Sequence, residues 1–112
     1  MTLILNERQV GPITLLELGD ELTIQHISEL RDEVDRLSAR GRFALLLDCS
    51  GVKKIDSQGI GGLVGNWISV RRRGGKLKLL SPSPRMQDVL RIVGLRKVIE
   101  CFDDIELALQ NF

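Results

Sequence analysis

Phe43-Ala44-Leu45-Leu46-Leu47 is an unbroken apolar run that stops at Asp48. A strand that is apolar on both faces has to be covered on both. That places it inside a sheet, with helices packed above and below, rather than at an exposed edge. The flanking segments fit this arrangement. Leu3 to Gln9 and Ile13 to Leu18 read as two strands joined through Val10-Gly11-Pro12, because Gly-Pro marks a turn and short β-branched runs favour strands. From Thr23 the spacing changes: Ile27, Leu30, Val34 and Leu37 recur at helical intervals, Thr23 stands where a cap is expected, and Gly41 follows as a stop. A second amphipathic segment, from about Ser57 to Arg73, carries Ile60, Leu63, Val64, Trp67, Ile68 and Val70 on or near its inner face and ends at Gly74-Gly75. Lys76 to Leu80 predicts another strand. Pro84 opens a third helix with Met86, Val89, Leu90 and Val93, which stops at Gly94. Lys97 to Cys101 predicts a final short strand, and Asp103 or Asp104 caps a last helix through Leu109.

Strands alternating with helices across short connections define an α/β fold: a single domain over residues 1–112, with a mostly parallel, mixed sheet of about five strands and about four helices. No repeat or linker divides the chain. A domain of 112 residues buries roughly 65% of the surface its unfolded chain exposes, enough for a core without metal or disulfide support. Cys49 and Cys101 belong to no paired motif and are expected to be reduced, half-buried small hydrophobes. The 16 basic and 15 acidic side chains leave a formal charge of +1. Nucleic acid or an acidic membrane surface would therefore need a local patch. The apolar stretches fall short of the roughly 18–20 residues that cross a bilayer, and the first residues lack the features of a secretion signal, so the cytoplasm is the expected compartment.

In open α/β sheets the functional surface lies where strands end and the next helices begin. The richest such junction here runs from Asp48 to Gly65. Asp56-Ser57 stands at the opening of the second helix, where unpaired N–H groups and the positive dipole end face the Ser57 side chain. A phosphate on Ser57 would bring about −1.5 to −2 charges to a place that favours them. A docked partner would tolerate the same dianion poorly, because docking would have to desolvate it. Gly59, Gly61, Gly62 and Gly65 follow within seven residues, although glycine inside a helix costs about 0.8–1 kcal/mol relative to alanine. Close approach to the sheet and close approach to a protein partner both account for them. The glycines do not form a dinucleotide cradle: Val64 stands where that fingerprint wants Gly or Ala, and no acidic residue closes the next strand. There is no P-loop, and no cofactor is expected.

These residues resemble the STAS domains, specifically the single-domain bacterial anti-sigma factor antagonists. The likeness lies in Leu45-Leu46-Leu47-Asp48-Cys49-Ser50-Gly51-Val52 and in Ile55-Asp56-Ser57-Gln58-Gly59-Ile60-Gly61. It extends to Arg73-Gly74-Gly75-Lys76-Leu77, to the helix from Ser83-Pro84 to Gly94-Leu95, and to Phe102 through Leu109. The resemblance implies that Ser57 is a phosphoacceptor, modified by an anti-sigma factor that is itself an ATP-dependent serine kinase. A serine phosphatase resets it. Unphosphorylated antagonist binds the anti-sigma factor and frees a sigma factor, and phosphorylated antagonist lets go. Asp56 matches the acidic neighbour expected to orient the Ser57 hydroxyl, and the partner is expected to touch Asp56, Ser57, Gln58, Gly59, Ile60, Gly61 and Gly62. Two departures stand out: Gln58 replaces a second hydroxyl, and Lys53 and Lys54 add positive charge upstream. The resemblance also admits another reading, a subunit docked on the ATPase of a lipid-trafficking ABC transporter without a phosphorylation cycle. Assembly into a larger stress-signalling scaffold is a third.

The remaining candidates are weaker. His26, the sole histidine, has no company suggesting a metal site, and no Gly-x-Ser-x-Gly elbow surrounds Ser57, which argues against hydrolysis. Arg71-Arg72-Arg73 complements the negative end of the second helix or offers a site to an acidic partner surface. Four aromatic residues leave little for base stacking, so nucleic acid is not an expected partner. Trp67 is expected in the core.

Overall fold

The computed structural model describes residues 2–112. Its elements are β1 (Ile4–Val10), β2 (Ile13–Leu18), β3 (Glu21–Leu22), α1 (Ile27–Ala39), β4 (Ala44–Asp48), β5 (Lys54–Ile55), α2 (Ser57–Arg72), β6 (Lys76–Leu80), α3 (Pro84–Ile92), a 3-10 turn at Leu95–Lys97, β7 (Cys101–Phe102) and α4 (Ile105–Gln110). The main sheet has the order β1-β2-β4-β6-β7. β1 pairs antiparallel with β2, and every other pairing in that sheet is parallel. The apolar run therefore forms the middle strand, and its side chains divide by strand alternation. Leu45 and Leu47 enter the core under α1, α2 and α3, while Leu46 joins Ile13, Leu15, Leu80 and Ala108 on the face that α4 covers. A strand coated on both sides has no polar face, which is why this one reads as continuously apolar.

Helix ends follow the expected chemistry at most places. The Ser83 side chain accepts from Met86 N–H with Pro84 in the first turn, Asp104 accepts from Glu106 N–H, and Gly41 and Gly94 turn the chain at φ 75° and 76°. α1 departs from expectation. It begins at Ile27, not Thr23, and His26 occupies its N-cap without a side-chain hydrogen bond. The Thr23 carbonyl accepts from His26 and Ile27 N–H instead, and its buried hydroxyl has no partner. Residues 23–26 thus form a turn at the mouth of α1, close to the start of α2.

Four further expectations are corrected. The last strand is Cys101–Phe102, not Lys97–Cys101, because Leu95–Lys97 winds into the 3-10 turn after Gly94. On α2, Leu63 and Val70 face inward but Ile68 is 38% exposed, and Asn66 is buried in its stead. Asn66 satisfies itself there by donating from Nδ2 to the Gly62 carbonyl at 2.8 Å. On α3, Val93 stands exposed while Met86 and Leu90 carry the packing. Cys49 is fully buried rather than half-buried, and burial drives its thiol pKa well up, so it behaves as a small hydrophobe. Cys101 is partly buried and unpaired. Among the described residues no helix is long and apolar enough to cross a membrane.

Candidate functional site

The main sheet alone does not fix the start of α2. A second, two-stranded sheet does, with β3 parallel to β5 and Glu21 and Leu22 opposite Lys54 and Ile55. The Asp20 carbonyl receives both Lys53 and Lys54 N–H at 2.8 Å, and Leu22 C=O receives Asp56 N–H at 3.4 Å. This short ladder holds the chain extended up to Asp56, whose φ of −117° and ψ of 175° make it the N-cap.

Asp56 uses its two oxygens on different elements. Oδ1 accepts from Gly59 N–H at 2.7 Å, which caps α2, and Oδ2 accepts from Ile24 N–H at 3.1 Å, which fastens the turn before α1 to the same point. The Gly59 and Ile24 amides hold its carboxyl below the usual aspartate range. A folded-state pKa below the unfolded one adds stability above the unfolded value, and that stability is lost as pH falls through the lowered folded value. Asp56→Asn is therefore expected to melt below wild type at neutral pH but to lose less on acidification. Thermal melts across the acid range check this; parallel curves for the two proteins would contradict it.

Because Asp56 does the capping, Ser57 is released from it. Ser57 is the first residue of α2, is exposed, and its hydroxyl makes no hydrogen bond among the described residues. Ile60 N–H bonds the Asp56 carbonyl, and Gly59 N–H bonds the Asp56 carboxylate with Gln58 N–H also drawn toward it, so among the described residues the Ser57 amide is left without a protein partner at the positive end of a 16-residue helix. Lys53 and Lys54 stand exposed one strand back. An added anion on Ser57 thus meets an open amide and the positive end of the helix dipole, on an exposed surface.

The residues expected to meet a partner divide by exposure. Ser57, Gln58 and Gly61 are exposed, Asp56, Ile60 and Gly62 are half-buried, and Gly59 is buried. A Cβ on Gly59 would lie 1.8 Å from the Leu22 carbonyl oxygen, and one on Gly62 would lie 2.2 Å from Ile27 Cγ1, whereas Gly61 and Gly65 have nothing within 4 Å. Two glycines therefore permit packing against β3 and α1, and two leave the outer helix surface flat. Gly61→Ala and Gly65→Ala are each expected to stabilise the free protein by about 0.5–1 kcal/mol, since both add helix propensity into open space. Urea unfolding measures this, and a loss of stability would contradict it.

Ile24, 60% exposed, sits directly beside Asp56 through the bond to Oδ2. It adds an apolar contact that sequence spacing places inside a helix and so hides. Gln58, Gly62 and Gly65 also line a groove of about 420 Å³ between α1 and α2, with Ile27 and Arg31 on its far wall. His26 lies 3.8 Å from Glu29, with no metal-ligand cluster among the described residues.

This sheet order, with an exposed serine heading a capped second helix, is the architecture of a STAS domain. The STAS domain family model matches residues 5–108, and the chain belongs to that family. A Thermotoga neapolitana protein that carries the provisional name of an anti-sigma factor antagonist is 32% identical over 103 residues, 91% of this chain and 91% of that protein. The anti-sigma-B factor antagonist of Bacillus subtilis is 29% identical over 85 residues, covering 76% of this chain and 77% of the relative. A crystal structure from Thermotoga maritima, under the same provisional name as the first relative, matches with a TM-score of 0.87 at 26% identity, over 95% of this chain and 92% of that one.

Proposed function

We propose that this chain is an anti-sigma factor antagonist whose grip on its anti-sigma factor is switched by phosphate on Ser57. Relatives with that role in their names, aligned over most of their length, support the first half. The observation that carries the second is the division of labour at the head of α2: Asp56 caps the helix, and Ser57 is left exposed with its hydroxyl free at the positive helix end. The unmodified surface of Ile24, Ser57, Gln58 and Gly61 is small, mostly uncharged and ready to be covered. A dianion at its centre keeps its solvation only while that surface stays open.

The modifying enzyme in this reading is the anti-sigma factor itself, acting as an ATP-dependent serine kinase, and a serine phosphatase reverses it. The antagonist contributes the acceptor hydroxyl: Ser57 Oγ gives up its proton and bonds to the γ-phosphorus of ATP as the bond to the β–γ bridging oxygen breaks and ADP leaves. The cycle runs in the cytoplasm, where ATP and sigma factors are found. Incubation with the cognate kinase and ATP, followed by peptide mass spectrometry, is expected to find one phosphate, on Ser57, and none in Ser57→Ala. Phosphate on another residue, or none, would overturn the switch.

A further inference from the structure

We infer that the pole of the molecule opposite Ser57 is a docking surface for an anionic lipid bilayer. The formal charge of +1 conceals a strong segregation: residues 66–99 hold nine of the 16 basic side chains and one of the 15 acidic ones, Asp88, so the rest of the chain carries −7. The topology gathers most of these cations at one end. Arg71 and Arg72 close α2, Lys76 opens β6, Arg91 closes α3, and Arg96 and Lys97 lie in the 3-10 turn before β7. All of these stand at the amino-terminal ends of parallel strands, whereas Ser57 follows a carboxyl end. Trp67, Arg71, Lys76 and Val98 line one groove of about 390 Å³, so the end of α2 and the 3-10 turn form a continuous surface; its one carboxylate, Glu100, is paired with Lys78 at 3.1 Å.

Apolar side chains project from the same pole. Ile92 is 77% exposed, more than any other large hydrophobic described, and Val93 and Val98 are 51% and 48% exposed. Gly94, at φ 76°, turns the chain so that Ile92 and Val93 on one side and Val98 on the other bracket Arg96 and Lys97. Three exposed branched hydrophobics within seven residues need a partner that takes up apolar surface, and the cations around them need one that is negative. The interface of an anionic bilayer supplies both, with acyl chains for the projecting side chains and headgroup phosphates for the Lys and Arg. Nucleic acid fits less well. Trp67 is half-buried with the Arg71 guanidinium 4.7 Å above its ring, so the face a base would stack on is already occupied. An acidic protein segment fits less well too, because the most exposed apolar side chain stands at a helix end instead of lining a trough. With α2 spanning roughly 24 Å at 1.5 Å per residue, a bilayer at this pole leaves Ser57 facing away from it.

The test is flotation of the whole protein with phosphatidylcholine vesicles containing one third phosphatidylglycerol, with pure phosphatidylcholine vesicles, and with a DNA duplex as competitor. The expected result is binding to the anionic vesicles alone, lost in high salt, with a blue shift of Trp67 emission. Reversing Arg96 and Lys97 to Glu is expected to lower the partition by about 25-fold or more, given roughly fivefold per cation lost. The double substitution Ile92→Ser, Val93→Ser is expected to lower it similarly without lowering the melting temperature, since both side chains are exposed. Failure to bind anionic vesicles, equal binding to neutral ones, indifference to these substitutions, or displacement by the duplex at equal charge would overturn the inference.

Discussion

Gly59→Ala is expected to destabilise the fold more than any other single methyl addition along α2, at the top of the ~1–3 kcal/mol range for overpacked sites or beyond it. The new carbon would lie 1.8 Å from the Leu22 carbonyl oxygen, 2.5 Å from its carbon and 3.0 Å from Thr23 N. All three are backbone atoms and cannot swing aside as a side-chain tip can. Relief requires α2 to move off β3, and that movement would strain the Leu22–Ile55 pairing, the Asp56 N–H bond to Leu22 and the Ile24 tie to Asp56 together. Gly62→Ala meets the Ile27 side chain, at 2.2 Å from Cγ1, and should cost less because a side chain can repack. With total stabilities of about 5–15 kcal/mol, the Gly59 variant should unfold at clearly lower urea. Unfolding at the wild-type midpoint would show that α2 does not rest on β3 as described.

Ser57→Asp is expected to fold with wild-type stability and to lose affinity for the cognate anti-sigma factor, while Ser57→Ala binds and cannot be released. The first residue of a helix accepts a carboxylate without loss, because the open Ser57 amide and the dipole favour negative charge there. Burying the same charge beneath a partner leaves it short of the water it had. A cost of 1.4–2.8 kcal/mol corresponds to about 10- to 100-fold in affinity, within the range for an unpaired buried polar or charged group. The isolated fold and the complex should therefore respond in opposite ways. An aspartate variant that binds as tightly as wild type, or one that is unstable, would contradict this.

The sequence shows the sheet plainly where a physical constraint repeats. Phe43–Leu47 had to be central because no polar face interrupts it, and the helical spacing of Leu30, Val34 and Leu37 had to face the sheet. The β3–β5 ladder was not legible, since each strand is two residues long and carries no periodicity. The position of α1 was obscured by Thr23. A hydroxyl residue ahead of an apolar helical pattern reads as a cap, yet here its backbone carbonyl forms the turn and its side chain is idle. Ile24 was hidden for the same reason. Asp56-Ser57 was legible as a helix opening, but which of the two caps depends on φ and ψ, and only the folded chain shows that Asp56 takes the role. Asn66 in place of Ile68 on the buried face reflects the short Nδ2 bond to Gly62, which hydrophobic periodicity does not register. The segregation of charge was present in the sequence, but a sum near zero conceals it until topology brings the ends of α2 and α3 to one pole.

The most direct measurement is a calorimetric titration of the cognate anti-sigma factor with one preparation of this protein, before and after complete phosphorylation on Ser57, alongside the melting temperatures of both forms. The account predicts binding that falls at least tenfold with phosphate while the melting temperature stays level or rises. Unchanged affinity, or a phosphorylated form that melts early, would contradict it.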